Sequence, residues 1–101
     1  MKAYLVNPEQ QSIEPVEIAG LDDIKSLVGF DTLESDAIGS GGDRLYFDEE
    51  CFLRGASGRF QIGTVIPVSG RGVIVGTVRG GEALSDVATE LDDLRHRTRF
   101  S

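Results

Sequence analysis

The sequence is poor in the residues that build disulfides and metal centres. Its 101 residues include one cysteine, Cys51, one histidine, His96, and no tryptophan. A single cysteine cannot form an internal disulfide, and a zinc site needs several cysteine, histidine or carboxylate ligands at close spacing. Because Cys51 and His96 have no second cysteine or histidine near them, the sequence predicts neither a bound metal nor a cofactor.

Long hydrophobic runs are also missing. The N-terminal segment reaches a turn at Asn7 and Pro8 after only six residues, whereas an export signal needs about 7–15 apolar residues and a membrane span about 20. With one cysteine and no such segment, we expect a cytoplasmic protein that does not contact membranes.

Positive charge is scarce in the first half of the chain. Residues 1–50 hold 12 acidic and 3 basic residues, a net charge of -9, while residues 51–101 hold 5 acidic residues and 7 arginines, a net charge of +2. An acidic surface repels phosphate groups and attracts basic proteins. The charge therefore predicts a protein partner with a basic surface and no direct binding of nucleic acid.

The pattern of apolar residues predicts one α+β domain spanning residues 1–101. The length is typical of a single domain, and the composition, 40% hydrophobic and 27% charged, is typical of a globular protein. Alternating apolar residues predict a mostly antiparallel sheet of five or six strands. Pro15 places the second strand at an edge or a bulge, since proline cannot donate a ladder hydrogen bond. The predicted strands are residues 2–7, 11–18, 30–38, 44–47 and 72–79, and residues 59–62 and 64–68 are predicted to be extended segments on either side of Gly63.

Turn residues between these strands predict two hairpins. One joins residues 30–38 to 44–47 through a glycine-rich turn, and the other joins residues 64–68 to 72–79 through Ser69-Gly70-Arg71-Gly72.

Apolar residues at helical spacing predict two helices. A short helix over residues 20–29 follows the second strand, with Asp22 and Asp23 in its first turn and Gly29 at its end. A longer C-terminal helix is predicted over residues 82–97, because Leu84, Val87, Ala88, Leu91 and Leu94 form one apolar stripe.

Five carboxylates in the middle of the chain are the candidate partner-binding residues. Their spacing differs from that of a calcium-binding loop, so an acidic surface is the favoured interpretation. Two of them, Asp36 and Asp48, are also candidates for a converging pair in a small-ligand site or a hydrolase-like enzyme. The five residues are Asp36, Asp43, Asp48, Glu49 and Glu50.

Other candidates for chemistry lack a necessary part. Cys51 would need a base, and the one histidine, His96, lies among arginines near the end of the predicted helix. The Gly80-Gly81 pair precedes that helix, where backbone amides could hold an anion, yet it matches no phosphate-binding motif, and Glu82 and Asp86 would oppose the anion. We therefore expect no catalytic residues.

Three blocks of sequence resemble a known family. The blocks are residues 1–9 continuing into 13–18, residues 45–50, and residues 72–76. They are similar to small proteins of bacteriophages, plasmids and bacterial genomes that share a domain of unknown function. The resemblance covers about residues 1–78 and implies a compact mixed fold in a mobile genetic element, without supplying catalytic residues.

These observations leave several functions to be distinguished. The first is a non-catalytic accessory or regulatory protein whose acidic first half binds a basic host protein. The second is a DNA mimic that inhibits a host nuclease or defence complex, which requires carboxylates in a continuous stripe. The third is a carboxylate-based enzyme or small-ligand binder. Pairing of two copies through an uncovered edge strand is a further expectation.

Overall fold

The computed structural model describes residues 1–39, 41–53, 58–79 and 82–101. Over these residues the chain forms nine strands and two helices. They are β1 (Lys2–Asn7), β2 (Ser12–Glu17), α1 (Leu21–Val28), β3 (Leu33–Ala37), β4 (Asp43–Asp48), β5 (Arg59–Ile62), β6 (Val68–Ser69), β7 (Gly72–Val78), β8 (Ala83–Ser85), α2 (Leu91–Arg97) and β9 (Thr98–Phe100).

The strands form two antiparallel sheets. The main sheet has the order β2-β1-β7-β4-β3, with β8 beside β7, and the small sheet has the order β6-β5-β9. The prediction of an α+β fold with mostly antiparallel strands is confirmed. The sequence predicted one sheet, however, and the structure places β5, β6 and β9 in a second one.

The main sheet is buried on both faces because its strands are apolar on both faces. On β7, Val73 and Val75 face α1, whereas Ile74 between them faces the small sheet and α2. Each fully buried side chain of this size contributes about 1.5–3 kcal/mol before the entropy cost. The α1-side core contains Ala3, Ile18, Ile24, Val28, Val73 and Val75. The small-sheet core contains Val6, Ile13, Ile38, Leu45, Phe47, Cys51, Phe60, Ile62, Val68, Ile74 and Leu94.

Helix α1 follows β2 and covers one face of the main sheet. Asp22 and Asp23 lie in its first turn, where they complement the helix dipole. Gly29 ends the helix with φ 96°, a left-handed conformation that favours glycine, and its N–H donates to Lys25 O at 2.8 Å.

The prediction of one long C-terminal helix is wrong. Residues 83–85 form β8, and α2 begins only at Leu91. The predicted apolar stripe is divided between the two cores, since Leu84 packs against the α1-side core and Val87 against the small-sheet core. The chain therefore crosses from one face of the main sheet to the other within this segment, which a continuous helix would prevent.

The second predicted hairpin is also wrong. Residues 64–67 form a turn after β5, and β6 pairs with β5 in the small sheet rather than with β7. Strand β7 already has β1 on one side and β4 on the other. The segment at Gly70 and Arg71 therefore connects the two sheets. The first hairpin, β3 with β4, is confirmed.

Candidate protein-binding surface

The β3–β4 hairpin carries all five predicted partner-binding carboxylates but sends them to different environments. Asp43 and Asp48, at the two ends of β4, are each only 2% exposed. Asp36 on β3 is partly exposed, and Glu49 and Glu50 after β4 are exposed. Three of the five candidates therefore reach the surface, whereas the burial of Asp43 and Asp48 counts against direct contact of their side chains with a partner.

Asp43 has a structural role. Its carboxylate accepts hydrogen bonds from the backbone N–H of Ala88 at 3.0 Å, and from the N–H of Thr89 at 2.8 Å and its hydroxyl. These bonds satisfy two backbone donors just before α2, in the segment that crosses from one core to the other. The carboxylate of Asp43 therefore forms its hydrogen bonds within the protein.

Asp48 has a similar structural role at the other end of β4. It accepts hydrogen bonds from the hydroxyl of Thr32 and from the backbone N–H of Glu50, the latter at 3.1 Å. The carboxylate thereby fixes the turn that follows β4. Spacing in the sequence could not distinguish this buried aspartate from the exposed acids beside it.

The register of the hairpin separates Asp36 from Asp48. Asp36 lies opposite Leu45, while Asp48 lies opposite Leu33. Side chains alternate between the two faces of a sheet, and directly opposite residues share a face, so these two aspartates lie on opposite faces. Asp36 and Asp48 therefore do not converge around one ligand or water molecule, which counts against this pair as the centre of a small-ligand site.

The exposed acids Glu49 and Glu50 begin a turn that brings apolar side chains to the surface. The N–H of Cys51 donates to Asp48 O at 3.0 Å, and the N–H of Leu53 donates to Glu50 O at 2.9 Å. This turn directs Cys51 into the small-sheet core, at 4% exposure, and leaves Phe52 54% and Leu53 84% exposed. A carboxylate pair is thus followed directly by two exposed, bulky apolar residues.

A further acid lies beside this turn. The N–H of Glu49 donates to Thr32 O at 2.8 Å, which places exposed Asp31 next to the start of the turn. We define the hairpin-end surface as Asp31, Glu49, Glu50, Phe52 and Leu53. The sequence indicated its acidity, but the exposure of Phe52 and Leu53 depends on the turn geometry that Asp48 fixes.

Other acids of the first half lie at both edges of the main sheet. Glu14 and Glu17 lie on β2, whereas Glu34 and Asp36 lie on β3. These strands are the two opposite edges of the main sheet, four strand spacings or about 19 Å apart. The DNA-mimic hypothesis required a continuous row of carboxylates, and this division of the charge counts against it.

The other predicted sites also lack a reactive arrangement. Cys51 is buried, whereas His96 is exposed on α2, with its Nδ1 2.8 Å from Asp92 O. Gly80 and Gly81 lie outside the described residues, and the element that follows them is β8 rather than a helix. In the described ranges there is no cluster of three or more potential metal ligands.

A groove of about 410 Å³ runs beside β2, where Pro15 and Val16 face Val87 and Leu91. Tyr4 lies in this groove, and its hydroxyl donates to Thr89 O at 2.9 Å. Burial, with smaller contributions from the charges of Glu90 and Asp43, raises the pKa of Tyr4 above its usual value of 10.0. The phenol therefore stays neutral and acts as a structural donor.

Comparison with known proteins gives no match to a family model, to a curated protein or to a solved structure. The resemblance to a phage and plasmid family therefore stays a prediction. No helix among the described residues has the length and apolar character needed to cross a membrane.

Proposed function

We propose that the protein is a non-catalytic accessory or regulatory protein that binds a partner protein through the hairpin-end surface. The observation that carries this proposal is the exposure of Phe52 and Leu53 directly beside Glu49 and Glu50. Exposed bulky apolar side chains next to acidic residues are typical of interaction surfaces rather than of solvated loops. The partner would present an apolar pocket with basic residues at its rim.

The two kinds of side chain would contribute differently to binding. Burying Phe52 and Leu53 in a fitted pocket would supply about 1.5–3 kcal/mol each, which is the scale of an interface hot spot. Asp31, Glu49 and Glu50 would mainly steer the basic partner toward the surface and raise the association rate. Affinity should therefore fall as salt concentration rises, without disappearing, because apolar burial is not screened.

The resemblance in the sequence suggests the setting of this interaction. A small acidic protein of a mobile genetic element commonly acts on its host by binding a host protein. We therefore propose that the partner is a basic host protein, in a counter-defence or regulatory role.

Affinity capture from a bacterial lysate tests the proposal if two matched variants are compared with the unchanged protein. Glu49→Lys with Leu53→Ser alters the hairpin-end surface. Glu14→Lys with Ile66→Ser makes the same changes elsewhere, on β2 and on the turn after β5, where Ile66 is 53% exposed. We expect a partner that the first variant loses and the second retains. Equal capture by all three proteins would contradict the proposal.

A further inference from the structure

Strand edges with unpaired backbone groups can accept another strand, and the edges of this protein differ in how they are protected. At the β2 edge, Met1 and Ile18 exchange both backbone hydrogen bonds. Because such pairs alternate along an antiparallel ladder, the backbone groups of Ile13, Pro15 and Glu17 point away from β1. Pro15 has no N–H, and Arg95 Nη2 reaches Ile13 O at 3.5 Å.

The opposite edge of the main sheet, β3, is protected in the same way. Its hydrogen bonds to β4 leave the backbone groups of Leu33, Ser35 and Ala37 pointing outward, and an arginine reaches the middle one of the three. Arg44 Nη2 donates a hydrogen bond to the carbonyl of Ser35 at 3.0 Å, and Arg44 Nε donates to the Ser35 hydroxyl at 3.0 Å. Pairing of two copies across Ile13 or Ser35 would first have to displace one of these arginines.

The edge of the small sheet at β9 has no such protection. Arg59 and Ser101 exchange two backbone hydrogen bonds, of 3.0 and 2.9 Å, so the alternation directs the N–H and C=O of Phe100 away from β5. Within the part of the chain that the structure describes, neither group of Phe100 has a hydrogen-bond partner and no strand lies beyond β9. Phe100 thus presents a donor and an acceptor side by side.

Three arginine side chains lie beside this edge. Phe60 and Phe100 direct their rings into the small-sheet core, so Arg59 and Arg99, at the alternate positions, face solvent. Arg97 precedes β9 and is exposed as well. Among the described residues, none of these three arginines forms an ion pair. In a protein with a net charge of -7, three exposed arginines therefore lie beside the outward backbone groups of Phe100.

We propose that β9 accepts an extended acidic segment of a partner protein as an added strand. The backbone of that segment would pair with the N–H and C=O of Phe100, and its carboxylates would bind Arg97 and Arg99. Strand addition obtains affinity from backbone hydrogen bonds and specificity from alternate side chains. Guanidinium groups bind carboxylates through two parallel hydrogen bonds, which adds geometric selection. None of these residues belongs to the hairpin-end surface.

The backbone chemistry favours a peptide over a single-stranded nucleic acid. Phe100 offers one donor and one acceptor, which matches a peptide unit, whereas a phosphodiester offers only acceptors. The acidic edges of the main sheet would also repel a long polyanion more strongly than a short peptide. Nucleic-acid binding is therefore the competing outcome that the test must detect.

Fluorescence anisotropy with a labelled peptide of alternating Thr and Glu, about eight residues long, tests the proposal. The controls are the corresponding Thr and Lys peptide, the acidic peptide with alternate backbone nitrogens methylated, and oligo-dT. We expect the acidic peptide to bind, and both peptide controls to bind at least about tenfold more weakly, because each loses charge-assisted or backbone hydrogen bonds. Arg99→Glu should weaken binding by a similar factor, while Arg79→Gln, at an exposed arginine of the main sheet, should leave it unchanged.

The amide of Phe100 gives an independent readout. In the unbound protein this N–H should exchange with solvent faster than the hydrogen-bonded N–H of Ser101, and the acidic peptide should slow its exchange. Three results would overturn the proposal: no binding of the acidic peptide at millimolar concentration, equal binding of its methylated form, or displacement of the peptide by oligo-dT at lower concentration.

Discussion

The two sheets of this protein differ in how their faces and edges are covered. The main sheet is covered on both faces, by α1 on one side and by the small sheet with α2 on the other, and an arginine donates to one backbone carbonyl on each of the strands β2 and β3. The small sheet is covered on one face only, and its other face carries Arg59 and Arg99 with the unpaired edge of Phe100 beside them. We therefore expect the main sheet to form most of the framework, and the partner surfaces that we propose lie at the hairpin end and on the small sheet.

The largest effect should come from adding a single methyl group in the main sheet. A Cβ on Gly76 would clash with Asp86 O and lie 2.8 Å from Ser85 Oγ, where β8 continues into the crossing segment. We expect Gly76→Ala to lower the free energy of unfolding by about 3 kcal/mol or to prevent folding. Gly41→Ala is the control, since a Cβ there meets no atom within 4 Å. Equal denaturant midpoints for the two variants would refute the packing described at β7.

Removing the buried carboxylate of Asp43 should have the next largest effect. Asp43→Ala would leave the backbone N–H groups of Ala88 and Thr89 without their acceptor. We expect a loss of about 2–3 kcal/mol in urea unfolding, because buried donors without partners are costly. Asp36→Ala, which removes a partly exposed carboxylate from the same hairpin, should change stability by less than about 0.5 kcal/mol. If the two variants were equally stable, Asp43 would have no structural role.

The phenol of Tyr4 should make stability depend on pH in the alkaline range. Its pKa is raised by burial, assisted by Glu90 and Asp43, so the folded protein holds the phenol proton more tightly than the unfolded chain. This contribution is fully present below about pH 10 and is lost as the pH rises through the folded-state pKa. Tyr4→Phe should remove that part of the alkaline decline in melting temperature, while Tyr46→Phe serves as the control. An unchanged alkaline slope in Tyr4→Phe would show that the group is solvated.

The smallest effect on stability is expected at the arginines of the small sheet. Arg59 lies 5.3 Å from the centroid of the Phe52 ring, and Arg99 donates to Gln61 Oε1 at 3.3 Å, both at exposed positions. Arg59→Gln and Arg99→Gln should each change the free energy of unfolding by less than about 0.5 kcal/mol. A loss above about 1.5 kcal/mol would mean that this face is part of the structural framework and not an exposed binding surface.

The sequence predicted the main sheet much better than the small one. Strands β1, β4 and β7 have long apolar patterns, and Pro15 correctly placed β2 at an edge. Strands β6, β8 and β9 are only two or three residues long, which is too short for periodicity to distinguish them from turns or helices. Their pairing depends on tertiary contacts, including the bonds that Asp43 makes to the segment before α2.

The candidate site was predictable in part for a similar reason. Charge counting identified Glu49 and Glu50, but it could not separate them from Asp43 and Asp48, whose burial depends on donors from residues distant in sequence or across the hairpin. The exposure of Leu53 was missed because apolar residues are usually assigned to the core. One feature of the sequence does indicate this exposure: the residues around Phe52 and Leu53 follow neither a strand period nor a helix period, as is typical of a surface loop.

The most direct test of the proposed function is NMR mapping of the captured partner on the isotope-labelled protein. Titration should shift the amides of Asp31 and of residues 49–53 first and most strongly, and Leu53→Ser should reduce those shifts at equal partner concentration. The amides of β2, which carries Glu14 and Glu17 at the opposite edge of the main sheet, should stay unchanged. Shifts concentrated on β2, or shifts unaffected by Leu53→Ser, would contradict binding through the hairpin-end surface.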